Sequence, residues 1–134
     1  MMLLTEEHRK KLNENGQPEN RDKDHAPVVK LFLPGTGCTW LLSELDYEDP
    51  DIAFGLCDLG MGFPELGTVR VSELQSVKAG GIFSVERDLY FEAEYPMSVY
   101  AFAANAADMI VTEDSPLQIA AQELKKEKLP HLKQ

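Results

Sequence analysis

The amino-acid sequence predicts an α+β fold, a curved antiparallel sheet of about five strands with helices packed on one face. Three observations carry this reading. Four short β-rich runs follow one another between Val28 and Val71, separated by turns bearing Gly or Pro. After Pro96 the pattern changes to that of a mostly apolar helix. The 134 residues suit one domain, 1–134, and a chain of this size buries roughly two thirds of its unfolded surface without needing a disulfide or a metal.

The elements follow in order. Thr5 caps a first short helix, with Glu6 and Glu7 at its positive end and Arg9, Lys10 and Lys11 at its negative end; Asn13 to Gly16 stop it. Residues 13–27 have no apolar anchor except Ala26 and read as a flexible, solvated loop. Val28–Leu33 is the first strand and Thr39–Asp46 the second, joined as a hairpin. Ile52–Asp58 and Glu65–Val71 are the third and fourth. Ser72 caps a short helical segment to Val77, and a fifth strand centres on Leu89-Tyr90-Phe91. From Pro96 to Val111 only Ser98, Ala101, Asn105, Asp108 and Thr112 mark a narrow small or polar stripe. A helix apolar around most of its girth is buried. Ser115-Pro-Leu-Gln118 reads as a capping box for a last helix, with Lys125, Lys126 and Lys128 toward its C-terminal end and Leu129-Pro130 as its stop. Residues 96–134 thus form a C-terminal helical extension.

Charge narrows the function. The net charge is −10, and residues 28–95 hold twelve acids against four bases. Phosphate recognition needs clusters of Lys and Arg, so direct binding of nucleic acid or of an anionic membrane is not expected. There is no basic leader, no long apolar span and no CxxC pair, which predicts a cytoplasmic protein with two reduced thiols, Cys38 and Cys57, packed as small buried residues. His8, His25 and His131 show no metal-ligand spacing with Cys or carboxylates, so no metal or other cofactor is predicted. Gly35-Thr-Gly37 lacks the Lys of a phosphate loop and reads as a hairpin turn.

The candidate binding residues are one aromatic and a set of charges. Trp40, the single tryptophan, is a core residue or an exposed anchor, with Phe54, Tyr90 and Phe91 across the sheet. Residues i and i+2 of a strand share a face, so Glu44 projects with Asp46, and Glu86 with Asp88, while Arg87 points the other way. Asp58 and Glu65 flank one turn. Paired carboxylates can bind a divalent ion or act as acid and base; they can equally form a solvated sheet face, since 23 of the residues are Asp or Glu. Arg87, among few bases, is expected to pair with Glu44, Asp46, Asp58 or Glu65. No residue is assigned a catalytic role.

Several short pieces, taken in order and spacing, carry a resemblance. They are Val29-Lys-Leu-Phe32, Thr39-Trp40, Glu44 with Asp46, Phe54-Gly-Leu56, Glu65-Leu-Gly67, Ser72-Glu-Leu74 and Glu86-Arg-Asp-Leu-Tyr-Phe91. Over about residues 3–95 the chain resembles the bacterial family known as domain of unknown function 2958. The resemblance implies an accessory protein of plasmids or of conjugative and integrative elements, and it supplies no catalytic residues. Two functions follow as expectations: an interaction module whose acidic sheet binds a basic protein partner, or a small enzyme holding a divalent cation on Glu44, Asp46, Glu86 and Asp88. Convergence of those four carboxylates in one pocket would favour the enzyme.

Overall fold

The structure, a computed structural model, describes residues 2–132. Helix α1 (Glu6–Asn15) starts on Thr5 as its sequence predicts. The Thr5 hydroxyl accepts the His8 amide at 3.1 Å, and His8 Nδ1 accepts the Thr5 amide at 3.2 Å. An imidazole thus does the work usually done by Glu or Gln in a capping box. The helix runs on to Asn15, because the buried Asn15 side chain donates to the Ser43 carbonyl at 2.9 Å. Arg9, Lys10 and Lys11 therefore lie mid-helix, not in its last turn. Gly16 ends it, where a Cβ would lie only 1.7 Å from the Leu45 carbonyl oxygen.

Strands β1 (Val29–Phe32), β2 (Cys38–Leu45), β3 (Ile52–Leu59) and β4 (Glu65–Arg70) form an antiparallel meander. Helix α2 (Val71–Ser76) follows directly. Its cap is not Ser72: Asp51, on the turn before β3, accepts the Ser72 amide at 2.9 Å and its hydroxyl at 2.6 Å. A small hairpin of β5 (Lys78–Ala79) and β6 (Phe83–Ser84) leads to β7 (Glu86–Arg87), which pairs with β1. The main sheet therefore reads β4-β3-β2-β1-β7. Its fifth strand lies upstream of Leu89-Tyr90-Phe91. After the Asp88 amide donates to Lys30, the Asp88 carboxylate accepts the Tyr90 amide and turns the chain away.

Helix α3 (Met97–Ala107) stops four residues before Val111, because Asp108 takes a left-handed conformation, φ 60°, and closes the helix onto Ala104. Helix α4 (Asp114–Leu132) begins ahead of the expected Ser115 cap: the Gln118 side-chain Nε2 donates to the Asp114 carboxylate at 3.0 Å. Pro116 falls in the first turn, where an amide has no intrahelical partner to lose. The backbone of α4 continues past Leu129-Pro130. The Lys128 and His131 side chains lie outside the described residues.

The helices divide between both faces of the sheet instead of sharing one. Trp40, Leu42, Leu45, Val29, Leu31 and Ala53 join Leu3, Leu4, Leu12, Val71 and Leu74 on the α1 side. Leu41 and Leu56 join Val99, Tyr100, Ala103, Leu117 and Ala120 on the α3–α4 side. The reason sits in β2: Trp40, Leu41 and Leu42 are all buried, and consecutive strand residues point to opposite faces. Both faces must therefore be covered. A bulge at Ser43 shifts the register between Leu42 and Glu44, keeping Leu45 in the first core and turning Glu44 toward the second face.

The polar segment 16–27 contains no helix or strand, but it is fastened at its far end. The Asp24 carboxylate accepts the Ser98 amide at 3.0 Å and also its hydroxyl, and the His25 carbonyl accepts the Met97 amide at 2.8 Å. Among the described residues no helix is long and apolar enough to cross a membrane.

Candidate functional site

Strand β4 is one edge of the sheet, and a recess opens on each of its faces. Glu65, Gly67 and Val69 share a face with Cys57 and Ala53, on the α1 side; Leu66, Thr68 and Arg70 share the other with Leu56, Phe54 and Ile52.

The first recess, about 370 Å³, is lined by Trp40, Cys57, Val69 and Glu65 together with Leu59, Met61 and Phe63 from the end of β3 and the following turn. Leu59, Met61 and Phe63 are 60%, 74% and 77% exposed, respectively. Charged or small polar residues usually occupy such a turn. Gly60 and Gly62, both at positive φ, let the chain reverse here and hold these apolar side chains outward. Asp58 braces the turn from inside: it is buried and accepts the Gly60 amide at 2.8 Å and the Ile110 amide at 3.0 Å.

The second recess, about 260 Å³, is polar. It is lined by Arg21, Asp22, Glu44, Asp46, Phe54 and Thr68. Partial burial raises the Glu44 carboxyl above the ordinary range for glutamate, and the nearby His25 and Arg21 charges counter it. Asp46 is exposed, and its carboxylate accepts the amides of Glu48 and Asp49, each at 3.0 Å. Thr68 lines both recesses, so one residue of β4 divides an apolar hollow from an acidic one.

The structure distributes the residues singled out by sequence. Trp40 is buried, 4% exposed, and floors the first recess. The aromatics expected beside it are elsewhere. Phe54 points to the other face, Tyr90 is exposed, and Phe91 packs edge-on to Tyr100 with centroids 6.2 Å apart. Glu44 and Asp46 do come together, and Glu65 rims the first recess. Asp58 and Glu65 flank one turn but point to opposite faces. Asp88 pairs with Lys30 at 3.6 Å, at the sheet's other edge, and Glu86 sits opposite Phe32 on β1. The four carboxylates thus do not converge. Among the described residues no group of three or more His, Cys, Asp or Glu side chains is placed to hold a metal ion.

Arg87 corrects its expected pairing. It donates to the carbonyls of Met2 at 3.0 Å and Leu3 at 2.9 Å, and it contacts no carboxylate among the described residues. Strand alternation turns it to the α1 face, whereas Glu44, Asp46 and Asp58 belong to the opposite one, and Glu65 is four strands away. Cys38 and Cys57 are free thiols, half-buried and not fully enclosed, and burial raises the Cys57 thiol. Leu59, Met61, Phe63 and Thr68, with Arg21 and Asp22 of the second recess, are site residues that the sequence reading passes over. Two large apolar residues beside the glycines of Gly60-Met-Gly-Phe was the available signal.

A family model described as "Protein of unknown function (DUF2958)" matches residues 3–111. The chain belongs to that family. The match runs past residue 95 and takes in all of α3, so the first helix of the C-terminal region is part of the family's own fold. No curated protein and no solved structure matches the chain.

Proposed function

We propose, with membership of the DUF2958 family as the premise, that this protein is an interaction module that binds a basic protein partner at the β4 end of its sheet. One observation carries the reading: Leu59, Met61 and Phe63 are held out in the open around the Trp40-floored recess, in a chain of net charge −10. Apolar side chains gathered around a hollow with a buried aromatic floor have the make-up of an interface core. The surrounding negative charge selects basic partners and speeds their approach. An accessory role on plasmids or integrative elements belongs to the same reading, with the basic partner a protein of the host or of the element.

The test is a double variant, Met61→Asp with Phe63→Asp. Both positions are exposed, so melting temperature should hold within a few degrees while capture of basic partners from a bacterial lysate is lost. Unchanged capture by the variant would refute the reading. Raising salt should also weaken capture.

A further inference from the structure

We infer that the partner binds as an added β-strand on β4, in an extended segment whose residues alternate between apolar and basic. This rests on the interaction reading above and deepens it by naming the binding mode.

The edge itself is the first ground. Among the described residues β4 has a strand neighbour on one side only, and its six residues pair with β3 without a register break. Proteins usually guard such an edge with prolines, bulges, or charges along it. Here the charges stand only at the ends, Glu65 and Arg70, with Leu-Gly-Thr-Val between them. Arg70 is itself turned back onto Asp49 at 3.2 Å and Asp51 at 3.6 Å. A Cβ at Gly67 would meet nothing within 4 Å, so the α1-side face over the middle of the strand is open to an incoming side chain.

The register says which groups are available. The Val71 amide donates to the Asp51 carbonyl at 2.8 Å. Bonded and non-bonded pairs alternate along an antiparallel ladder. Val69, Gly67 and Glu65 therefore bond to β3, and the main-chain groups of Leu66, Thr68 and Arg70 point outward. They offer an incoming strand a row of donors and acceptors.

The two recesses specify the occupant. Side chains of an added strand alternate between the faces. Those on the α1 side meet the apolar recess with Met61, Phe63 and Trp40; those on the other meet Glu44, Asp46 and Asp22, with Arg21 as the one base lining that recess and Arg70 of β4 held on Asp49 and Asp51. Strands lie about 4.8 Å apart, so the newcomer is about 14 Å from the Glu44 backbone. Only long cations, Lys or Arg, reach toward that carboxylate. A second copy of this chain would bring another charge of −10 to the same edge, and β4 carries no Lys.

Selection of random linear peptides displayed against the full chain tests this. Enriched peptides should alternate apolar residues with Lys or Arg, and on binding should slow exchange of the Leu66 and Thr68 amides. Thr68→Pro removes an outward amide without breaking the β3 ladder, and should weaken the selected peptides about tenfold or more. Thr68→Val keeps the amide and should bind as the parent does. Enrichment without alternation, protection confined to another surface, or equal binding by Thr68→Pro would overturn the strand-addition mode. So would a dimer of the free chain abolished by Thr68→Pro, since the occupant would then be a second copy. If Met61→Asp with Phe63→Asp abolishes binding while Thr68→Pro does not, the docking end stands and strand addition falls. If neither variant weakens binding, both readings fall. Should Thr68→Pro fail to fold, the amide exchange and Thr68→Val decide alone.

Discussion

The two edges of the sheet are finished in different ways. At one, β7 is two residues long, its neighbour Asp88 is paired with Lys30, and Arg87 is anchored on the Met2 and Leu3 carbonyls. At the other, β4 offers six residues in an unbroken register, flanked by an apolar and an acidic hollow. A short, tied edge is a terminus; a long, flat one is a template. The molecule thus ties one edge down with side-chain bonds and leaves main chain accessible at the other.

If that contrast is right, damage at the tied edge should cost stability and damage at the open edge should not. The largest effect is expected for Leu4→Ala: Leu4 is buried in the core beneath the anchored N-terminal segment, and its loss should cost about 3 kcal/mol in chemical denaturation. Next comes Arg87→Ala, which removes a charged donor from two carbonyls and should cost about 2 kcal/mol, with Arg87→Lys recovering only part. Thr68→Pro, at the open edge, should cost no more than about 1 kcal/mol, because the lost amide faces solvent. A loss as large as that of Leu4→Ala would mean that β4 is not a free edge.

Acid sharpens the same contrast. Burial, then the Arg87 charge, lowers the His8 pKa, and the neutral Nδ1 accepts the Thr5 amide. A histidine held below its ordinary value contributes stability above that value and loses it as pH falls through the folded one. Melts across mildly acid pH should show this loss. His8→Gln, which keeps a box-forming side chain, should remove its pH dependence. The smallest effect belongs to Glu44. Its raised carboxyl means that the fold binds the proton better than the unfolded chain, so stability falls slightly as pH rises through the window between the two values. Glu44→Gln should therefore be neutral or slightly stabilising at pH 7, and a clear destabilisation there would show that the carboxylate has a structural partner.

The strands of the meander were legible because their signals are local: β-rich runs between Gly and Pro turns fix β1 to β4 within a residue or so of their observed limits. What depends on distant partners was not. Asp51 caps α2 from 21 positions away, so Ser72 looked like a cap in sequence when it is in fact the capped residue. Arg87 had carboxylates in plenty, but alternation turned it from them toward bare carbonyls. The buried run Trp40-Leu41-Leu42 did hold a readable clue, since a strand apolar on both faces demands two covering layers. At the site, Glu44 and Asp46 were paired correctly by the period of two. The neighbouring Arg21 and Asp22 come from a loop whose path no periodicity fixes.

The fastening of α3 has a consequence for how the molecule breathes. Pro96 offers no side-chain cap, so the first turn of α3 is completed by Asp24 and His25, more than seventy residues earlier in the chain. A helix end that closes on its own neighbours frays alone. This one opens only when segment 16–27 lets go, and that segment is continuous with α1 on the opposite face. Hydrogen exchange at the Met97 and Ser98 amides would then report the docking of a remote loop, and the two layers on either side of the sheet would open as one cooperative unit.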